Sequence, residues 1–76
     1  MMNRNRVLKY LVRHYENMSP KSLESSMNSI VKRLAESGKW EEESLWDIIN
    51  QLLADDDWNM PKICAYIDTL DILERT

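Results

Sequence analysis

The chain has 76 residues, with one glycine, two prolines, 43% hydrophobic residues and a formal net charge of −3. One cysteine and one histidine cannot form an internal disulfide or anchor a zinc cluster, and no apolar run approaches the roughly 18 residues that span a bilayer. Few helix breakers, together with this apolar content, argue against a sheet of many short strands and against disorder. We therefore expect one soluble, all-α domain over residues 1-76, located in the cytoplasm and holding neither metal nor cofactor.

The first two predicted helices flank the first proline. Apolar residues at helical spacing predict a helix over about residues 5-17. Ser19 and Pro20 then form a typical helix start, because the hydroxyl can cap free N–H groups and proline fits the first helical position. A narrow apolar stripe predicts a second helix over about residues 20-37, and Gly38 stands where a left-handed C-terminal cap is expected.

The last two predicted helices are separated by an acidic run. Three glutamates favour the start of a third helix, over about residues 42-54, whose apolar face extends to Leu53. Asp55–Asp57 interrupt the pattern, and Pro61 opens a fourth helix over about residues 61-74. Short connections favour antiparallel neighbours, so the predicted architecture is a compact bundle of about four short helices, arranged as two packed helical hairpins.

One segment joins an apolar helical ladder to a glycine and a second helix. It runs from Met27 to Gly38 and continues at Glu43, Ser44 and Leu45. In this it is similar to the helix–glycine–helix segment of small enterobacterial regulatory proteins of the biofilm and acid-resistance connector type. The likeness covers under a third of the chain, and its pattern is common to helical hairpins in general. No residue role and no function is carried over from it.

The small net charge conceals two oppositely charged halves. Residues 1–39 hold eight basic and three acidic side chains, a net charge of +5. Residues 40–76 hold ten acidic and two basic side chains, a net charge of −8. Each half suggests a different binding partner, and each also has a purely structural explanation.

The basic half predicts one candidate surface. On a helical wheel Arg6, Lys9 and Arg13 share the face of the first helix opposite Leu11, with Tyr10 beside them. These side chains form either a solvated face that pairs with the acidic half or a stripe that binds phosphates. A negative net charge is unlike most nucleic-acid-binding domains, so nucleic acid is the less favoured partner. The alternative nucleic-acid-binding residues are Arg4, Arg6, Lys9, Arg13 and Lys21.

The acidic half predicts the favoured surface, in which carboxylates lie among tryptophans. Aromatic side chains supply anchor area at protein interfaces, and charges steer association. The structural alternative is that the tryptophans cover helix ends and the edge of the core, because large aromatics are mostly buried. The predicted protein-binding residues are Trp40, Glu42, Glu43, Trp46, Asp47, Asp56 and Trp58.

The sequence holds no pattern typical of catalysis or metal binding. Asp55–Asp57 lack the alternating ligands, turn glycine and distal glutamate of a calcium loop. Cys64 and His14 could meet only through the fold, and nothing supplies the third orienting group that nucleophilic catalysis requires. One glycine can hardly build a phosphate-binding loop. The prediction is a protein that is not an enzyme, with no catalytic and no metal-binding residues.

The sequence thus predicts a small non-enzymatic protein-binding module that occupies a surface on a larger protein partner. A phage- or plasmid-type inhibitor, an immunity-like protein and a regulatory adaptor all fit this description. The alternative is a small DNA- or RNA-binding transcriptional regulator that uses the basic first helix. The opposite charges of the two halves also predict a homodimer, because two chains can then pair antiparallel. No membrane association is predicted.

Overall fold

The computed structural model describes residues 3–75, with side chains as far as residue 73. Within that range the chain forms four α-helices and no strand, which confirms the predicted all-α bundle. The helices are α1 (Arg4–Glu16), α2 (Pro20–Glu36), α3 (Glu42–Leu53) and α4 (Met60–Arg75), and each bound lies within one residue of the predicted one. None of these helices combines the length and the apolar character needed to cross a bilayer.

Helix starts and stops follow local side-chain chemistry. Three helices begin after a polar side chain that accepts a hydrogen bond from a backbone N–H of the first turn, as free N–H groups there require. These bonds join Asn3 to Asn5 at 2.9 Å, Ser19 to Ser22 at 3.3 Å and Asn59 to Lys62 at 3.0 Å. α3 begins after Glu41 without such a bond. Beyond α2, Gly38 adopts a φ of +82°, so the predicted left-handed cap is confirmed.

α4 lies at the centre of the bundle. It contacts all three other helices, most extensively α1 and then α2. Its buried side chains point to more than one side of the helix, which is the pattern expected of an enclosed helix rather than a surface one. They are Ile63, Cys64, Ala65, Ile67, Thr69 and Asp71. Helix pairing is therefore organised around α4, and α1 makes its main interface with α4 and not with its chain neighbour α2.

α3 is attached less extensively than α4. It has twelve residues, of which Leu45 and Ile49 are buried, and its interfaces with α2 and α4 are small. Leu53, predicted on the apolar face, has 44% of its surface exposed. The reason is positional, because Leu53 is the last residue of α3 and lies on the same side as Trp46, away from the centre of the buried stripe.

Two largely buried carboxylates of α4 contact side chains of α1 and α2. Tyr15 of α1 donates its hydroxyl proton to Asp68 Oδ2 at 2.7 Å. Arg33 of α2 places its Nε 3.3 Å from Asp71 Oδ2 and its Nη2 4.0 Å from Asp68 Oδ1. The two aspartate side chains are 14% and 6% exposed, so this network lies at the edge of the core. Arg33 therefore pairs the basic half with the acidic half, and among residues 3–73 no ion pair joins Arg6, Lys9 or Arg13 to an acidic side chain.

Candidate functional site

Carboxylates and apolar groups lie together on the outer side of α3. Glu42, Glu43 and Asp47 are exposed, Leu53 is largely exposed and Trp46 is partly buried. We call these five residues the acidic α3 surface. Trp46 and Leu53 are seven residues apart and hence on one side of the helix, about 10 Å from each other along its axis. Glu43 and Asp47 lie along one side of that pair, so a partly exposed apolar strip lies beside a row of negative charge.

The other predicted protein-binding residues lie in the loops before and after α3. Trp40 is partly buried and packs against the core, as does Trp46. Asp56 is exposed in the loop between α3 and α4. Trp58 meets the ring of Tyr66 edge-on, with centroids 5.6 Å apart, and is partly buried. The three tryptophans thus contribute to the core edge as well as to the surface, and Trp46 is the one that belongs to the acidic α3 surface.

The aspartate run forms a turn. The backbone N–H of Asp57 donates to the side chain of Asp55 at 3.0 Å, and the N–H of Trp58 donates to the Asp55 carbonyl at 3.1 Å. An aspartate that bonds to the backbone two residues ahead is a common turn-forming element. In the part of the chain that the structure describes, no three His, Cys, Asp or Glu side chains are grouped so that they could hold a metal ion.

A second surface lies along α1. A groove of about 780 Å³ is lined by Leu8, Lys9, Tyr10, Val12, Arg13 and Glu16 of α1 and by Lys62 of α4. We call it the α1 groove. Its walls combine apolar side chains with three cations and one carboxylate, and Tyr10 stands 73% exposed beside it. The groove is therefore positively charged and partly apolar.

The structure divides the predicted nucleic-acid-binding residues. Lys9 and Arg13 line the α1 groove, whereas Arg6 and Lys21 are exposed outside its lining. The Arg4 guanidinium carbon lies 5.8 Å from the centroid of the Tyr66 ring, a cation–π contact. Among residues 3–73, neither Lys9 nor Arg13 has an ion-pair partner. Their charges are therefore available to a ligand.

Lys62 is a member of the α1 groove that the sequence did not indicate. Its ammonium group lies 5.1 Å from the centroid of the Trp58 ring and donates to the Asp57 carbonyl at 3.1 Å. A helical wheel of α1 contains no information about a neighbouring helix, so only the tertiary fold brings Lys62 to Lys9 and Arg13. The cation after Pro61 was visible in the sequence, but its neighbours were not.

Cys64 has the environment of a structural cysteine. It is fully buried, and its thiol donates to the Leu23 carbonyl at 3.5 Å. Burial, together with the nearby negative charge of Asp68, raises the pKa of the Cys64 thiol to about 11. Because the thiolate is the nucleophilic form, this environment disfavours reaction at the sulfur.

Comparisons with known proteins add no family to these observations. No protein-family model matches the chain, and neither a curated protein nor a solved structure matches it.

Proposed function

We propose that this protein is a non-enzymatic binding module that occupies a surface on a larger protein through the acidic α3 surface. The observation that carries the proposal is the position of a partly exposed apolar strip beside carboxylates on the helix that has the smallest interfaces with the rest of the bundle. An inhibitor of phage or plasmid type, an immunity-like protein and a regulatory adaptor, each acting in the cytoplasm, would all use such a surface.

The chemistry of this surface indicates the kind of partner. Trp46 and Leu53 can enter an apolar depression and lose contact with water, which supplies affinity. Glu42, Glu43 and Asp47 can face basic side chains at the rim of that depression, which mainly speeds association. A basic surface with an apolar centre, such as a nucleic-acid-binding face of another protein, has the complementary character.

Capture experiments with paired variants test this proposal. The tagged wild-type protein is used to isolate a partner from the native host, and the purified partner is then titrated with variants. Trp46→Ala and Leu53→Ala should each weaken the complex by about 1–2 kcal/mol, mainly through faster dissociation. Reversal of Glu42 and Asp47 to lysine should slow association. Lysine at Glu24, an exposed residue of α2, is the matched control and should leave binding unchanged.

Wild-type binding by all α3 variants would refute the proposed surface. Circular dichroism of each variant establishes that the helices are retained, because Trp46 also packs against the core.

The second candidate function is nucleic-acid binding, and the observation behind it is the set of cations in the α1 groove. Lys9, Arg13 and Lys62 could neutralise phosphates while Tyr10 stacks on a base. Such binding would fall steeply with salt and would be lost on reversing Arg6 and Arg13 to glutamate. We expect no gel shift at about 0.15 M salt, because the net charge of −3 opposes approach of a polyanion. Micromolar affinity lost on that reversal would favour this function over the first.

A further inference from the structure

The α1 groove and the acidic α3 surface each place a charged pair beside apolar side chains, and the two pairs have opposite charge. In the groove, Leu8 and Val12 form an apolar pair, with Lys9 and Arg13 beside them. On α3, the apolar pair is Trp46 and Leu53, with Glu43 and Asp47 beside it. Each charged pair is spaced four residues apart, so both span one helical turn, about 6 Å. Trp46 can therefore meet the apolar pair of the groove while each cation meets a carboxylate.

The side on which the charges lie defines the orientation of such a contact. At about 100° per residue, the charged pair lies roughly a quarter-turn from the apolar pair on both helices, in the same rotational sense. When two such helices pack face to face and antiparallel, their charged pairs lie on the same side of the contact and can meet. When they pack parallel, the charged pairs lie on opposite sides and cannot meet. An antiparallel contact therefore sets Arg13 opposite Glu43 and Lys9 opposite Asp47. It also brings Trp46 to the level between Leu8 and Val12.

We propose that the α1 groove binds the acidic α3 surface of a second copy of this chain, with the two helices antiparallel. The contact does not form within one molecule, because α1 and α3 share no substantial interface in the fold. Each copy carries both surfaces, so two copies related by a two-fold axis would make the contact twice. The inference is independent of the proposed function, since it requires only groups of this chain.

The composition of the groove favours an acidic helix over nucleic acid as its occupant. Leu8 and Val12 offer an apolar wall, which a phosphate backbone cannot use. The acidic α3 surface supplies both carboxylates and apolar groups. A second copy bound there covers the surface proposed for the larger partner, so self-association and partner binding compete by mass action.

Reciprocal charge reversal tests the contact. One variant carries Lys9→Glu with Arg13→Glu, which makes the groove acidic. The other carries Glu43→Lys with Asp47→Lys, which makes the α3 surface basic. Each variant alone opposes like charges and should associate at least about tenfold more weakly than the wild type. An equimolar mixture of the two variants should associate as strongly as the wild type. The acidic groove of the first variant then meets the basic α3 surface of the second, and the basic groove of the second meets the acidic α3 surface of the first. A single chain that carries all four changes should also self-associate.

Sedimentation equilibrium over micromolar concentrations measures these masses, and circular dichroism verifies the fold of each variant. Glu24→Lys, at an exposed position of α2, is the charge control and should leave association unchanged. Association of the wild type that weakens with salt, is lost in both variants and returns in their mixture supports the proposal. A wild-type monomer throughout overturns it, as does a mixture that stays monomeric. A gel shift with nucleic acid that only the groove variant loses also overturns it, because the groove then has another occupant.

Discussion

α3 and α4 differ in how much of their circumference the bundle encloses. α4 contacts every other helix and buries side chains on more than one of its sides, including Thr69 and Asp71. α3 buries Leu45 and Ile49 along one stripe and exposes most of the remainder. Both helices are rich in acidic residues, yet Asp68 and Asp71 of α4 bind Tyr15 and Arg33, whereas the α3 carboxylates face outward.

Because α3 and α4 are enclosed to different extents, their acidic side chains have different roles. In α4 carboxylates hold helices together, and their removal should reduce stability. In α3 exposed carboxylates contribute little to the fold, since surface charges are mostly worth below about 1 kcal/mol. The acidic excess of the second half of the chain therefore has two origins, and the mutations below separate them.

The largest expected effect comes from truncating α4. Ile67 is fully buried, so Ile67→Ala should lower the free energy of unfolding by about 2–5 kcal/mol, from lost burial and the cavity left behind. Since a domain of this size is held by only about 3–5 kcal/mol, Ile67→Val, with an expected loss of about 0.5–1.5 kcal/mol, keeps the comparison measurable. Leu53→Ala on α3 should change the free energy of unfolding by less than about 0.5 kcal/mol. Urea unfolding followed by circular dichroism measures all three variants, and equal losses for Ile67→Ala and Leu53→Ala would contradict the difference in burial between these two side chains.

The next effect concerns the hydroxyl that joins α1 to α4. Tyr15→Phe removes the donor to Asp68 and should cost about 1.5–3 kcal/mol, as for other hydrogen bonds to charged groups. Tyr10→Phe is the matched control, because Tyr10 is 73% exposed, and it should be neutral. Equal stability of the two phenylalanine variants in urea would show that the Tyr15–Asp68 bond contributes nothing.

Alkaline pH should weaken the α4 side of the bundle. Burial raises the pKa of Cys64 to about 11, and burial followed by the hydrogen bond to Asp68 raises the pKa of Tyr15 above its ordinary value. In the unfolded chain these groups lose their protons from about pH 8.5 and pH 10, so above pH 8.5 the unfolded state binds fewer protons than the folded one. Stability is then complete below about pH 8.5 and falls as pH rises toward 11. The urea midpoint should decline over this range, and less so in Cys64→Ala; a flat profile in the wild type would contradict the argument.

The smallest effect should come from the start of α3. Glu41 precedes this helix without a side-chain cap bond, and aspartate is a preferred residue at that position. Glu41→Asp keeps the charge and should stabilise the chain by about 0.5 kcal/mol. The opposite change at α2, Ser19→Ala, removes an existing cap bond and should cost about 1 kcal/mol. The melting temperatures of the two variants should therefore shift in opposite directions. A lower melting temperature for Glu41→Asp would show that the free N–H groups at the start of α3 already have hydrogen-bond partners.

Local chemistry explains why the helices were predictable. The caps at Ser19 and Asn59 and the left-handed Gly38 act within a few residues, so the sequence contains both members of each interaction. The central position of α4 was not predictable in this way. Cys64 and Asp68 both lie off the main apolar stripe of their helix, yet neighbours from α1 and α2 enclose both side chains.

The candidate surfaces were likewise predictable only where their residues belong to a single helix. A helical wheel places Lys9 and Arg13 together, because both belong to α1. The contribution of Lys62 depends on the packing of α4 against α1, a long-range contact that periodicity does not report. The exposure of Leu53 likewise depends on where α2 and α4 stop covering α3, so its role in the acidic α3 surface became visible only in the structure.

Native-state hydrogen exchange tests most directly the claim that α4 supplies stability while α3 is held more loosely and presents a binding surface. The measurement is made at low protein concentration, where self-association is minimal. Amides in the middle of α4, from Ile63 to Ile67, should exchange only through global unfolding. Amides of α3, from Leu45 to Ile49, should exchange through local openings of lower free energy, with no matching loss of protection in α4. Equal protection of the two helices would contradict the account.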